Sequence, residues 1–316
     1  MIGPILGLVA LDRAVTLSSA HWSWAAREVP EGLLDPYRVE ALLRSATPGP
    51  QNVFILGDSV IDSALDVSSL NEALEDEGRR YTILRIGGSA TATFGFLANQ
   101  LVAVKPAAIL LVVNGAALRS QAFTGQVYNY DVRVVRDLFT WREILADPGF
   151  HLAGLADQAN IVFRQRYALQ RALAVRLGLS SWDRVRLEQT RLQLEISQAL
   201  GPLRRWVRNR QGDTYPNPNT RAIALLARKA HENGIRLVLI EAPFHPHMKL
   251  LVGEPRLQAL RAEIARLVRE ENIEYLRAED MLALDVDDFR DHTHLNATGK
   301  KRFTEAAIRI FPRMVH

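Results

Sequence analysis

Five short apolar runs divide the chain, and each is bounded by turn-forming residues. They occupy residues 53–56, 81–86, 108–113, 235–240 and 273–276. Continuous apolar runs of this length are typical of strands that are covered on both faces. Between and around them, apolar residues recur at helical spacing, which predicts helices at residues 31–46, 60–77, 92–104, 219–233, 255–270 and 297–310. Strands that alternate with helices predict an α/β fold, a doubly wound parallel sheet with right-handed crossovers.

The alternation stops after the third strand and resumes about a hundred residues later. Residues 119–217 contain no strong strand pattern, only helical stretches such as 183–200. We interpret 119–217 as a helical insertion, a cap or a side lobe, because long elaborations of α/β scaffolds often cover an active site. The predicted division is an N-terminal segment at 1–46 and an α/β domain at 47–118 and 218–316, interrupted by this insertion.

The N-terminal segment permits two interpretations. Residues 2–11 are apolar, but Asp12 and Arg13 interrupt the run. A membrane-spanning helix needs roughly 20 apolar residues, so the run is too short. No basic region precedes it, as one would in a secretory signal. The segment is either a shortened membrane anchor or a helix that packs on the domain.

The amino-acid composition excludes several kinds of site and partner. The chain has no cysteine, which excludes disulfides, thiolate metal sites and a cysteine nucleophile. The net charge is only +4 over 316 residues, yet residues 161–210 contain 11 arginines against 3 acidic residues. A basic patch suits nucleic acid, a membrane surface or an anionic polymer, although a solvated helix face has the same composition. No nucleic-acid motif accompanies it, so we expect no nucleic-acid partner.

Polar residues and glycines follow the predicted strands at their carboxyl ends, where open α/β sheets bind ligands. In chain order they are Ser59, Gly87, Asn114, His245 and His247. Two histidines separated by one residue can chelate a metal, but no third ligand is evident, so no metal site is predicted. His245 and His247 are instead candidates for a substrate loop or for plain surface.

Ser59 has two interpretations. In Gly57-Asp58-Ser59 it stands between a strand and a helix, where serine is a common helix cap. The alternative is that Ser59 is a nucleophile, which needs an imidazole to take its proton. His294 could supply that imidazole and Asp291 a carboxylate to orient it; both residues precede the last helix. A spacing of three residues lets a carboxylate accept from Nδ1–H of the histidine, which leaves Nε2 for the serine. A polar turn at the helix start is the alternative for this pair.

The order of these motifs resembles the SGNH (GDSL) hydrolase superfamily over residues 50–118 and 218–312, but not over the insertion. The resemblance implies a flavodoxin-like three-layer fold with Ser59 as nucleophile, His294 as base and Asp291 as its orienting carboxylate. It also implies an oxyanion hole formed by the N–H groups of Ser59 and Gly87 and by the amide of Asn114. Leu295-Asn296-x-x-Gly299 matches the family as well.

Two motifs depart from the family pattern. Val112-Val113-Asn114-Gly115 stands where the family usually has Gly-x-Asn-Asp, and Gly88 competes with Gly87 for the second block. More narrowly, the chain is similar to envelope SGNH proteins related to polysaccharide O-acetylation factors. Many of these have a short N-terminal membrane anchor.

The resemblance implies a serine esterase or O-acyltransferase that removes or transfers an acyl group, here an acetyl group, on a carbohydrate or small ester. It implies no cofactor. A cell-envelope or periplasmic location follows, with membrane association through the N-terminus; a cytoplasmic location is the alternative. The competing function is a non-catalytic polymer-binding or assembly factor built on the same scaffold.

Overall fold

A computed structural model of the chain describes residues 14–15, 18–30, 35–75, 78–85, 91–113, 118, 130–159, 166–186, 215–243, 245–246, 254–291 and 294–315. Its centre is a five-stranded parallel sheet in the order β2-β1-β3-β4-β5. The strands are β1 Asn52–Gly57, β2 Arg80–Arg85, β3 Ala108–Val113, β4 Arg236–Glu241 and β5 Glu274–Arg277. This order is the flavodoxin-like one. All five predicted strands are confirmed to within one residue at either end.

Helices cover both faces of the sheet. The first eight are α1 Ser19–Glu28, α2 Asp35–Ser45, α3 Ser59–Ala64, α4 Val67–Ala73, α5 Ala92–Ala103, α6 Val135–Leu138, α7 Trp141–Ala146 and α8 Pro148–Ala159. The remaining five are α9 Arg166–Arg176, α10 Pro218–Glu232, α11 Glu254–Glu270, α12 Ala278–Met281 and α13 Ala297–Val315. Short 3₁₀ turns lie at Val132–Val134 and Val286–Asp288.

Alternate residues of each strand enter two separate cores. On one face, Leu56, Leu111 and Leu239 are fully buried beneath α5, α10 and α11. On the other face, Ile55 and Leu110 are fully buried beneath α3, α4 and α13. Because both faces are covered, the strands have the continuous apolar runs seen in the sequence. The predicted three-layer α/β fold is therefore confirmed.

The prediction of one continuous helix over residues 60–77 is wrong. The chain forms α3 and α4 instead, with Leu65 in an extended conformation between them. Asp66 causes the break, because its side chain accepts from the backbone N–H groups of Ser68 and Ser69 and so begins a new helix. Its own backbone N–H donates to Thr304 Oγ1 on α13 at 3.0 Å. The residue at the break thus links α4 to α13 on the same face of the sheet.

The last helix is longer than predicted. It continues five residues beyond Ile310 to Val315, although Pro312 lies inside it. A proline in a helix interior removes one backbone hydrogen bond. Phe311, Met314 and Val315 are nevertheless buried in the core, and this burial favours continuation of the helix.

The first described residues of the insertion pack in the main core. Tyr130, Val134 and Leu138 are buried with the residues of α5 and α10. Gly95 on α5 permits this approach, because a Cβ there would lie 2.7 Å from Leu138 Cδ2 and 2.9 Å from Ala222 Cβ. The described parts of 119–217 are helices, turns and irregular segments, without a strand. Of the predicted helix at 183–200, residues 183–186 are helical, and the remainder lies outside the described residues.

The N-terminal segment contributes a packed helix. Trp22 and Ala25 of α1 and Val29, which follows α1, are buried with Tyr37 of α2 and with Leu169 and Ala172 of α9. The Tyr37 hydroxyl lies 2.7 Å from His21 Nε2. This agrees with the second interpretation for residues 18–30, whereas the apolar run 2–11 lies outside the described residues. Among the described helices, none has the length and apolar character that crossing a membrane requires.

Candidate active site

The turn after β1 places Ser59 at the carboxyl edge of the sheet. All six residues of β1 are buried, so the strand end has a fixed position. Asp58 is the helix cap of α3: its side chain accepts from the backbone N–H of Val60 at 2.9 Å. The cap interpretation of Ser59 is therefore wrong. Ser59 is the first residue of α3, with a half-buried side chain whose hydroxyl is available for another contact.

Gly57 is needed at this turn for reasons of space. A Cβ at this position would lie 3.0 Å from Ile61 Cβ and 3.1 Å from Ile61 Cγ2. The close packing of α3 against the end of β1 follows from the absence of that Cβ.

A loop before α13 carries Asp291 and His294. Phe289 and Leu295 form an antiparallel bridge across it. Within this bridge, the backbone N–H groups of Arg290 and Asp291 both point to the carbonyl oxygen of His294, at 2.8 and 3.4 Å. The loop thereby folds back on itself, and its two functional side chains lie on one side.

Ser59, His294 and Asp291 form a continuous hydrogen-bonded chain. His294 Nε2 lies 3.1 Å from Ser59 Oγ, across 235 residues of sequence. His294 Nδ1 lies 2.9 Å from both Asp291 Oδ1 and Asp291 Oδ2. The Asp291 carboxylate also accepts from the backbone N–H of His294 at 2.9 Å. A carboxylate beside Nδ1 selects the tautomer with the proton there, which makes Nε2 the acceptor for the serine proton.

The hydrogen-bonded row of Ser59, His294 and Asp291 is exposed to solvent at its Asp291 end. The side chain of Asp291 is 44% exposed, and that of His294 is 22% exposed. Arg290 Nε lies 3.6 Å from Asp291 Oδ2, but both side chains are well exposed, so this ion pair contributes little. Solvent therefore reaches the carboxylate, and hydrogen bonds rather than burial hold it in place.

The loop is anchored to α13 by groups that the sequence did not single out. Asp288 is 2% exposed, and its carboxylate accepts from the backbone N–H of Asp285 and forms a short ion pair with Arg302. Its carbonyl oxygen accepts from the backbone N–H of Asn296 at 2.9 Å. In the sequence Asp288 is one acidic residue of a polar run, and nothing there marked it as buried.

The Leu295-Asn296-x-x-Gly299 motif now has a physical explanation. Leu295 is buried, and Asn296 Oδ1 accepts from the backbone N–H of Gly299 at 3.0 Å, which caps α13. A Cβ on Gly299 would lie 2.2 Å from the carbonyl oxygen of Asp288. Only glycine allows α13 to pack this closely against the loop.

One of the three predicted oxyanion donors lies in the described residues. The backbone N–H of Ser59 begins α3, so the hydrogen bonds within that helix do not use it. Gly87 and Asn114, as well as Gly88, lie outside the described residues. The strands that precede them, β2 and β3, flank β1 on either side. Their roles stay predictions.

His245 lies beside the Asp291–His294 loop, whereas His247 falls outside the described residues. His245 is buried at 8% exposure, and its ring meets that of Phe289 edge-on, with centroids 5.0 Å apart. It is therefore not a plain surface residue. Within the described part of the chain, no group of three His, Cys, Asp or Glu side chains is arranged to hold a metal ion.

Glu241, at the end of β4, is a buried carboxylate that sequence reasoning missed. It is 4% exposed and accepts a short hydrogen bond from the Tyr275 hydroxyl. Burial, together with this carboxylate, raises the pKa of Tyr275, which therefore remains a hydrogen-bond donor. In the sequence Glu241 ended an apolar run and gave no sign of a buried partner on the next strand.

Comparison with known proteins gives distant structural similarities only. No family model matches the sequence. No curated protein matches it either. Among solved structures, "Crystal Structure of TesA" has 14% identity and a TM-score of 0.41, and the match covers 83% of this chain and 99% of that one. "Crystal structure of an acetyl xylan esterase AlAXEase" has 12% identity and a TM-score of 0.36, with 83% and 98% covered. The fold assignment rests on the sheet order and the site geometry described above.

Proposed function

We propose that this protein is a serine esterase or O-acyltransferase in which Ser59, His294 and Asp291 act as nucleophile, base and orienting carboxylate. The observation that carries the proposal is the 3.1 Å contact between His294 Nε2 and Ser59 Oγ, with Asp291 at 2.9 Å on the other ring nitrogen. A nucleophile, a base and a group that orients the base, all within hydrogen-bonding distance, are what acyl transfer through serine requires.

The proposed reaction has two halves. Ser59 Oγ attacks the ester carbonyl carbon while His294 Nε2 takes its proton, and the backbone N–H of Ser59 donates to the oxyanion, joined by Gly87 and Asn114. The C–O bond to the alcohol then breaks, His294 returns the proton to that alcohol, and the acyl group remains on Ser59. Water or an acceptor hydroxyl next gives its proton to His294 and attacks the acyl carbon. The bond from that carbon to Ser59 Oγ breaks, and His294 returns the proton to Ser59, which restores the starting state.

The acyl group and its carrier are the finer part of the proposal. The resemblance to envelope proteins of polysaccharide O-acetylation supports an acetyl group on a carbohydrate or small ester. It also supports a location in the cell envelope or periplasm.

Labelling with a fluorophosphonate probe tests the nucleophile. We expect the wild type to be labelled and Ser59→Ala to be unlabelled. Ser63→Ala is the matched control, because Ser63 lies on the same helix and its hydroxyl donates to the carbonyl oxygen of Val60. It should be labelled like the wild type. An unlabelled wild type, with its fold intact, would instead favour the non-catalytic polymer-binding alternative.

Product analysis separates hydrolysis from transfer. With p-nitrophenyl acetate, equal release of nitrophenol and acetate indicates hydrolysis, whereas an acetate deficit in the presence of a sugar acceptor indicates transfer. Acetate release from O-acetylated xylan, peptidoglycan or alginate then tests the carbohydrate class. A reporter that is active only outside the cytoplasm, fused after His316, tests the location.

A further inference from the structure

Within the described part of the chain, most of the exposed large apolar side chains lie between residues 119 and 217. Nine such side chains are exposed in the described residues, and eight of them lie between Val132 and Leu179. Three belong to the end of α9 and the turn after it: Leu173 at 44%, Leu177 at 69% and Leu179 at 74% exposure. Single exposed leucines need no explanation, but a group within seven residues indicates a contact surface.

The same segment is basic. From Arg166 to Trp182 the sequence contains three arginines and no acidic residue, and Arg184 and Arg186 follow. Asp183 is the one acidic residue between positions 166 and 186. We call residues 166–186, together with Trp24, the α9 surface. It combines exposed leucines with a net positive charge.

Two tryptophans lie at the edge of the α9 surface. Trp24 of α1 and Trp182 are partly buried, and their rings stack with centroids 6.5 Å apart at 28°. The guanidinium of Arg176 lies over the Trp24 ring, 5.1 Å from its centroid. Tryptophan and arginine side chains of this kind have an apolar body and a polar end, which suits the interface between a lipid bilayer and water.

The first described residues of the N-terminal segment also pack near this surface. Val15 packs against the cluster formed by α1, α2 and α9, which includes Leu169 and Ala172 of the α9 surface. The α9 surface is thus held to the N-terminal segment on one side, while its leucines face solvent.

We propose that the α9 surface docks on an anionic lipid bilayer. Arginines by themselves would equally suit nucleic acid or an acidic polysaccharide. The leucines decide between these partners, because a polyanion in water gives two leucines at 69% and 74% exposure nothing to pack against. In the headgroup region of a bilayer, leucines are buried while arginines contact lipid phosphates.

Vesicle sedimentation with the full chain tests this docking. The probes are phosphatidylcholine vesicles with and without about a third of phosphatidylglycerol. The wild type should bind the anionic vesicles and not the neutral ones. Combined Leu177→Ser and Leu179→Ser changes should weaken binding roughly tenfold, since they remove the apolar part of the contact.

Matched variants locate the surface. Leu145→Ser with Leu152→Ser removes two leucines that are equally exposed, at 75% and 66%, but lie on α7 and α8. This pair should change binding less than about twofold. Thermal melting of every variant checks the fold. The proposal is overturned by equal binding of wild type and the Leu177/Leu179 variant, or by an equal loss in the control pair. It is equally overturned by wild-type binding to neutral vesicles, or to an immobilised acidic polysaccharide in place of vesicles.

Discussion

The two sides of the candidate site are held in place by different forces. Ser59 follows a strand whose six residues are all buried, and apolar packing on both faces fixes that strand. Asp291 and His294 lie on an exposed loop, where hydrogen bonds, the ion pair of buried Asp288 with partly exposed Arg302 and one glycine contact maintain the geometry. The nucleophile thus depends on the core, and the base depends on a local polar network.

This difference has a chemical meaning. A hydrophobic core is rigid because it is close-packed, so the position of Ser59 tolerates little adjustment. A polar network depends on a few specific partners, and the loss of one of them moves the loop without unfolding the sheet. We therefore expect changes in the contacts of the loop to lower turnover as well as stability, because they move His294. Changes beside Ser59 should leave turnover largely intact, because the buried strand still fixes the turn.

The largest effect is expected for His294→Ala. Loss of the base should lower turnover by roughly 10⁴- to 10⁶-fold while leaving the fold intact, because the ring lies in a loop at the edge of the sheet and is 22% exposed. Turnover of p-nitrophenyl acetate and a thermal melt measure the two quantities. His231→Ala, on the exposed side of α10, is the control and should match the wild type. Turnover within tenfold of wild type would remove His294 from the mechanism.

Alanine substitutions at Gly57, beside Ser59, and at Gly299, beside the His294 loop, compare the two sides of the site directly. Gly299→Ala should cost about 3 kcal/mol in the free energy of unfolding, since its Cβ would meet the backbone of Asp288 at 2.2 Å. Gly57→Ala should cost about 1 kcal/mol, because the Ile61 side chain at 3.0 Å can shift. Urea titration measures both. Equal losses in the free energy of unfolding would show that the backbone of Asp288 shifts as readily as the Ile61 side chain does.

Asp288→Asn tests the ion pair that anchors the loop. The change weakens hydrogen bonds to a buried carboxylate, and we expect a loss of about 2 kcal/mol in the free energy of unfolding. Because the loop then moves, kcat should fall while KM stays constant. A loss of stability with unchanged kcat would mean that Asp288 serves the fold alone.

Asp58→Ala removes the helix cap beside Ser59. The lost hydrogen bond to the backbone N–H of Val60 should cost about 1 kcal/mol. Turnover should fall much less than in His294→Ala, because the strand still fixes the turn. Asp58→Asn keeps an oxygen acceptor for that N–H and is the control. A large loss of turnover in Asp58→Ala would show that the cap, and not the strand, positions Ser59.

The smallest effect concerns acid stability. Burial tends to raise the pKa of Asp66, but hydrogen bonds from Ser69 and Ser68 outweigh it, so the pKa in the folded protein is lowered. A carboxyl group with a lowered folded pKa contributes stability above its unfolded pKa and loses it as the pH falls through the folded pKa. Asp66→Asn should therefore flatten the decline in stability below about pH 4. An unchanged pH profile would contradict this assignment.

The sheet was predictable because both of its faces are buried. Strands such as β3 are uniformly apolar, and their ends follow directly from the pattern. The position of Ser59 was predictable, because open parallel sheets bind ligands at the carboxyl ends of their strands. The contact of Ser59 with His294 was expected from the motif order and its resemblance to the SGNH superfamily, because His294 lies in the loop before α13 and not at a strand end.

What the sequence did not predict depends on tertiary partners. Asp66 ends one helix and begins another, a choice supported by Thr304 more than two hundred residues away. The buried carboxylate of Asp288 pairs with Arg302, and that of Glu241 accepts a hydrogen bond from Tyr275. Neither pairing is visible in a local pattern. Gly299 was noticed as a motif, but its cause is the approach of a backbone carbonyl from another segment.

The insertion leaves and re-enters the fold at one point. The amide of Asn217 donates to the carbonyl oxygen of Leu118 at 3.0 Å, which closes a loop of 99 residues. The entropy of closing a loop grows only with the logarithm of its length, so halving this one would change stability by just about 0.6 kcal/mol. Loop-closure entropy therefore sets almost no limit on the length of this segment during evolution. The residues that pack do not share that freedom, among them Leu138 in the main core and Leu169 and Ala172 against α1 and α2.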